Sequence, residues 1–159
     1  MRIFVVSDTH GDLKQAIELY DRAQENGSVD FIIHCGDFYS DGERLGQILG
    51  QTVYAVHGNC DGGWGEEFET VETPAGKILV IHGHNETVDF SLDNAAWLAR
   101  REKCSMVCYG HTHREKIKEH NGVLFLNPGS TRRPRGMSGG SAAVLTAGED
   151  GFTASILYI

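Results

Sequence analysis

Five short apolar runs recur along the chain, and each breaks off in a glycine-containing loop. Ile3 to Val6 runs into Ser7-Asp8-Thr9-His10-Gly11, and Phe31-Ile32-Ile33-His34 into Cys35-Gly36-Asp37. Val53 to His57 precedes Gly58-Asn59-Cys60-Asp61, Ile78 to Ile81 precedes His82-Gly83-His84, and Met106 to Tyr109 precedes Gly110-His111-Thr112-His113. Runs this short and this continuous read as strands buried on both faces. Between them lie helical spacings: Leu13, Ala16, Ile17, Tyr20 and Ala23, then Leu45, Ile48 and Leu49, then a helix over about 91–102 using Leu92, Ala95, Ala96 and Ala99. A hairpin is expected over 68–82 with its turn near Ala75-Gly76. Strands follow at 115–119, 123–126, 141–147 and 152–158. Asn121-Gly122 is a type I′ turn signal, and Glu149-Asp150-Gly151 marks another hairpin. Strand, loop and helix alternate, which predicts an α/β fold. Mixed, sandwich-like β-sheets are flanked by helices and completed by C-terminal antiparallel strands.

At 159 residues the chain is expected to form a single domain, 1–159. Lys and Arg number 14 against 22 Asp and Glu, a net charge of −8, which argues against general nucleic-acid binding and against an anionic membrane surface. No apolar run approaches the ~18 residues of a transmembrane helix. The N-terminal apolar stretch is too short for a signal peptide. The 4 cysteines form no CxxC pair, so a cytoplasmic protein with reduced thiols is expected. The unusual count is 8 histidines, several within two residues of one another.

The five loops carry the chemistry. They hold Asp8 and His10, Asp37, Asn59, His82 with His84, and His111 with His113. Ligands of open α/β sheets bind outside the carboxyl ends of the strands, so these loops can converge. Asp8-x-His10 and His111-x-His113 are i, i+2 pairs, which share a side in extended backbone. Carboxylates, an amide oxygen and imidazoles together suit Mn, Fe, Co, Ni or Zn better than Ca or Mg. A shared carboxylate is the simplest way to hold two divalent ions ~3.5–4 Å apart. Asp37 is the bridging candidate, because Asp8 has its own histidine partner. One site then takes Asp8, His10, Asp37 and His113, and the other Asp37, Asn59, His82 and His111.

The series Asp8-Thr9-His10, Gly36-Asp37, Gly58-Asn59-Cys60-Asp61, His82-Gly83-His84 and Gly110-His111-Thr112-His113 resembles the calcineurin-like metallophosphoesterase superfamily. The short length and Asn127-Pro128-Gly129-Ser130 are similar to its small bacterial and archaeal phosphodiesterase branch, to which the eukaryotic retromer scaffold subunit is related. The resemblance implies a metallophosphoesterase-type fold and two divalent transition-metal ions. Mn2+ comes first, with Ni2+, Zn2+, Fe2+ or Co2+ as alternatives. It implies a phosphodiesterase acting on a small-molecule phosphodiester: a hydroxide bridging the metals attacks phosphorus in line, and Asn59 stabilises the non-bridging oxygens. The alternative is a non-catalytic interaction scaffold on the same fold. Larger relatives carry Gly-Asn-His where this chain has Cys60, so the general acid of the family is replaced by a thiol here. His84 is the substitute candidate.

The remaining polar residues have plainer readings. His34 and His57 lie within apolar runs and are expected to fill the core or to orient a ligand by hydrogen bond. His120, beside a turn, is expected to be solvated. Cys35 and Cys60 are expected to be small buried residues, and Cys104 and Cys108 partly buried ones. Arg132, Arg133 and Arg135 follow Ser130 and can counter a substrate phosphate, Arg132 and Arg135 being the preferred pair. Phe38, Tyr39 and Trp64 form either a wall for a leaving group or a dimer contact. The expected assembly is a homo-oligomer, a dimer or larger.

Overall fold

The computed structural model describes residues 1–136 and 139–159. Thirteen elements run in the order β1 (Arg2–Val6), α1 (Lys14–Glu25), β2 (Phe31–His34), α2 (Tyr39–Leu49), β3 (Val53–Ala55), β4 (Phe68–Thr73), β5 (Gly76–Ile81), α3 (Asp93–Arg101), β6 (Met106–Cys108), β7 (Lys116–His120), β8 (Val123–Asn127), β9 (Ser141–Gly148) and β10 (Gly151–Tyr158). They build two five-stranded sheets, ordered β10-β9-β1-β2-β3 and β4-β5-β6-β8-β7. The expected mixed sheets and flanking helices are present. Each anticipated strand and helix exists, with ends shifted by a residue or two.

Residues alternate between two cores because side chains alternate across a strand. Ile3, Val5 and Ile33 of the first sheet pack against Ile78, Val80, Met106 and Leu126 of the second, so the sheets stack face to face. Phe4, Val6 and Ile32 point the other way, onto Leu13, Ala16, Leu19, Tyr20 and Ala23 beside and along α1 and onto Leu45 of α2. Leu79, Ile81, Val107 and Phe125 meet Ala95, Ala96 and Ala99 of α3. The layers are therefore helix, sheet, sheet, helix. Burying a side chain of this size stabilises the fold by about 1.5–3 kcal/mol.

Helix α2 departs from its expected apolar face. Leu45 is fully buried but Ile48 is 56 % exposed. Backbone proximity replaces side-chain packing there: a Cβ on Gly46 would sit 2.9 Å from Val53 Cγ2 and from the Gln51 carbonyl oxygen.

Strand direction positions the site. β1, β2 and β3 are mutually parallel, and so are β5, β6 and β8. Backbone bonds then tie their exit loops together, Asp8 N–H to the Gly36 carbonyl at 2.9 Å and Gly110 N–H to the His82 carbonyl at 3.0 Å. At the other ends, Asn121 and Gly122 both have positive φ, 51° and 78°, as the type I′ reading of that turn requires. The residues Glu149-Asp150 close the β9–β10 hairpin, with Gly148 paired to Gly151.

Candidate metal centre

The exit loops bring Asp8, His10, Asp37 and His113 together, with one ligand atom from each within 4.8 Å of all the others. Donors around one transition-metal ion, each at about 2.0–2.3 Å, are separated on this scale. A second group adjoins it. Asn59 Oδ1 lies 3.0 Å from His82 Nε2 and 3.1 Å from His111 Nδ1. Asp37 faces both groups, with Oδ2 3.9 Å from His10 Nε2 and Oδ1 3.5 Å from His82 Nε2. The cavity over them, about 160 Å³, is lined also by Cys60, Arg133 and Arg135.

Hydrogen bonds on the outer edges of the rings decide which nitrogens face inward. His82 Nδ1 donates to the Cys35 carbonyl at 2.7 Å, and His113 Nδ1 donates to the Arg133 carbonyl at 2.8 Å. His111 Nε2 donates to the Asp89 carboxylate at 2.7 Å. In the neutral rings the inward nitrogens then carry lone pairs, as in metal-ligating histidines held by an outer acceptor. His82 Nε2 and His111 Nδ1 both face the Asn59 oxygen, an acceptor against acceptors. Asp8 Oδ1 is buried with no hydrogen-bond partner and lies 3.1 Å from His113 Nε2. Such a cluster of acceptors is stable when a cation or proton sits among them. The donor set fits borderline transition metals.

The electrostatics agree. Burial alone would raise the Asp8 carboxyl, but His113 and His82 beside it hold it below its ordinary value. Burial alone would lower His113, but Asp8 outweighs it and the ring is raised. His10 is lowered, by burial first.

The backbone under these residues is unusual. Asp8, His10, Asp37, His111 and His113 all have positive φ, between 44° and 68°. Non-glycine residues rarely adopt this region, at a cost of about 1–3 kcal/mol each, and do so chiefly at functional sites. The i, i+2 pairs therefore converge through left-handed turns and not through the extended backbone expected. Gly58 is required by proximity: a Cβ there would collide with the Asp37 carboxylate.

A buried polar chain lies beneath the first group. The Gly36 N–H donates to His34 Nδ1 at 3.2 Å, and His34 Nε2 bonds Thr9 Oγ1 at 3.0 Å. Thr9 donates to Asp41 Oδ2 at 2.7 Å, which also accepts the Gly11 N–H at 2.7 Å. His34 thus ties the Asp8, His10 and Asp37 loops to one another, the orienting role weighed for it.

The calcineurin-like phosphoesterase superfamily domain matches residues 1–150. The chain belongs to this superfamily. Among its relatives, the probable metallophosphoesterase YsnB of Bacillus subtilis is 34% identical over 154 residues, covering 96% of this chain and 88% of that one. A phosphodiesterase of Methanocaldococcus jannaschii is 32% identical over 149 residues, covering 81% of this chain and 83% of that one. The superfamily fold is matched by a conserved protein of Streptococcus pneumoniae described as a predicted phosphoesterase. Its TM-score is 0.82 at 29% identity, with 99% of this chain and 88% of that one covered. Vps29 of Entamoeba histolytica shares the fold at a TM-score of 0.75 and 22% identity, covering 100% of this chain and 99% of that one.

The other residues singled out in this superfamily member fall in several places. Arg135 lines the metal cavity, and so does Arg133. Arg132 turns to Asp12 instead, with Nε 3.5 Å from Oδ2. Cys60 is exposed and not buried as expected; its N–H donates to Asp37 Oδ1 at 2.9 Å, and desolvation with Asp37 beside it pushes the thiol up to about 11. The His84 ring lies tilted at 5.3 Å from His82 and 6.3 Å from His111, and its buried Nδ1 has no partner. Burial and the neighbouring imidazoles lower its pKa. His57 Nδ1 bonds the Gly65 carbonyl at 3.2 Å. His120 is not free in solvent: Nε2 meets Asp93 Oδ1 at 2.6 Å. Cys35, Cys104 and Cys108 are buried. Tyr39 and Trp64, with Cys60, Asp61 and Glu43, line a separate chamber of about 420 Å³ beside the metal cavity, whereas Phe38 packs edge-on against His10 at 5.5 Å. Asp89 was not anticipated, since a lone acid in a loop carries no signal of its own. Asp41 was missed for the same reason.

Proposed function

We propose that the chain is a metal-dependent phosphodiesterase that hydrolyses a small-molecule phosphodiester at a centre of two divalent transition-metal ions. The observation that carries this reading is the set of imidazole nitrogens turned inward by outer hydrogen bonds, around the unpartnered Asp8 Oδ1. Asp8, His10, Asp37 and His113 would hold one ion, and Asp37, Asn59, His82 and His111 the other, with Asp37 shared. Mn2+ is the first candidate, ahead of Ni2+, Zn2+, Fe2+ or Co2+. Bound there, the ions supply Lewis acidity that activates water and neutralises phosphoryl charge.

The chain's own residues do the rest. The Cys35 and Arg133 carbonyls and the Asp89 carboxylate fix the tautomers of His82, His113 and His111. Arg133 and Arg135 bring two guanidinium charges to the rim of a cavity whose carboxylates would otherwise repel an anionic ester. Asn59 offers its side-chain amide to a non-bridging oxygen. Preference for diesters over monoesters is supported by the relative named a phosphodiesterase. The free thiols accord with a cytoplasmic setting.

The test is hydrolysis of bis(4-nitrophenyl) phosphate after chelation and return of Mn2+ or Ni2+. Turnover should depend on the returned metal, and Asp37→Asn should lose metal at both sites. Absence of turnover with every metal tried would favour a scaffold instead. Two tightly held ions in Asp37→Asn would remove Asp37 as the bridge.

A further inference from the structure

The metal cavity, at about 160 Å³, is smaller than the ~300–1,000 Å³ that organic ligands usually occupy. The substituents of a diester must therefore extend beyond it. Two chambers of similar size flank it, and their charges differ. The chamber beside Cys60, about 420 Å³, has aromatic walls from Tyr39 and Trp64 and acidic ones from Glu43 and Asp61. The other, about 410 Å³, is lined by Arg114, Lys116 and Lys118 together with the ring of Phe90.

The second chamber adjoins the metal centre across the Asp89–His111 contact. Asp89 lines it and at the same time accepts the His111 Nε2 hydrogen bond at 2.7 Å. Thr112, the residue after His111, lines it as well. From there it follows edge strand β7, on which Lys116 and Lys118 share a face because side chains alternate. His120, held by Asp93 at 2.6 Å, lines it too, beyond Lys118 on the same strand.

Among the described residues, no carboxylate lies within ion-pairing distance of Arg114, Lys116 or Lys118. In a chain of net charge −8 this concentrates three cations on one wall, and the acid that shares the lining, Asp89, is engaged by His111. The exposed ring of Phe90, 90 % accessible, stands at its rim.

Resting on the phosphodiesterase reading, we propose that this cleft takes an anionic arm of the substrate. The substrate is then a small organic phosphodiester carrying a second phosphoryl group on one ester arm. The scissile phosphorus lies over the metal centre, the second phosphate on Arg114, Lys116 and Lys118, and the uncharged leaving group in the Tyr39–Trp64 chamber, whose acids repel an anion. A long polyanion is disfavoured by the overall negative charge.

Two chromogenic probes test this: 4-nitrophenyl 3-phosphopropyl phosphate and its 3-hydroxypropyl counterpart, which share a leaving group and differ only in the terminal phosphate. With Mn2+ the wild-type chain should prefer the phosphorylated probe in kcat/KM by about tenfold or more, the scale of one charge-assisted contact. In Lys116→Gln/Lys118→Gln that ratio should fall toward one. Calorimetric binding of propane-1,3-diyl bisphosphate against propyl phosphate provides a readout without turnover, and the double variant should lose the same preference. If neither probe turns over but the binding preference exists and collapses in the variant, the phosphodiesterase reading fails and the cleft stands. Equal treatment of the two ligands by the wild-type chain overturns the cleft, as does an equal loss for both in the variant. An eight-nucleotide oligothymidylate that binds more than about tenfold tighter than the bisphosphate also overturns it, in favour of a polynucleotide.

Discussion

Cys60 holds its proton firmly, because desolvation and the Asp37 carboxylate push the thiol up to about 11. An acid that weak protonates a departing alkoxide poorly near neutral pH, and an aryl oxide needs little help. Cys60→Ala is therefore expected to keep kcat on aryl diesters within about threefold of wild type. A fall of ~10²-fold or more, the scale of general acid catalysis, would return the residue to that role. The polar identities at this scale were legible in the chain: each residue assigned to the two ligand sets lies at the cavity or against one that does. Their partners were not. Asp89 holds His111 from a loop 22 positions earlier, and Asp41 reaches Thr9 across 32. Such bonds exist only once loops are folded together.

Among the loops, the link between β3 and the candidate metal centre is tightly packed. Gly58 backs directly onto Asp37, and its N–H donates to Asp61 Oδ2 at 2.6 Å. Gly58→Ala must displace the Asp37 carboxylate or the β3 exit loop. We expect a loss of about 1–3 kcal/mol in stability, the usual cost of overpacking, together with weakened metal binding. Thermal unfolding with and without Mn2+ measures both, and a variant that matches wild type in each would refute the close approach. Element types were legible because the apolar runs are continuous and the helical spacings regular. The route by which Asp8, His10, His111 and His113 converge was not. Left-handed φ at residues other than glycine opposes local preference, so it is imposed by the bonds between loops and not by the residues themselves.

Over the whole molecule, the proposed function implies that proton and cation compete for one position. His113 is raised by Asp8, so in the metal-free chain its contribution to stability is fully present below the ordinary imidazole value, about 6.5, and is lost as pH rises through the raised one. Asp8, held low, stays ionised across the same range and adds no slope there. Metal must displace the His113 proton, so affinity should fall as pH falls from 8 to 6. The increase in Tm on adding Mn2+ should accordingly be larger at pH 8 than at pH 6. An increase independent of pH would show that His113 does not exchange a proton for the ion.

Residue order alone determined that Asp, Asn and His side chains would each follow an apolar strand, because that is a property of single segments. It also determined the layered α/β class, through the periodicity of its apolar positions. Only the tertiary structure decided which imidazole nitrogen faces inward, that Arg132 turns to Asp12 while Arg133 and Arg135 meet the cavity, and that one flanking chamber is acidic and the other basic. Those outcomes depend on distances between segments far apart along the chain. Such distances are set by the stacking of two sheets, which no local pattern encodes.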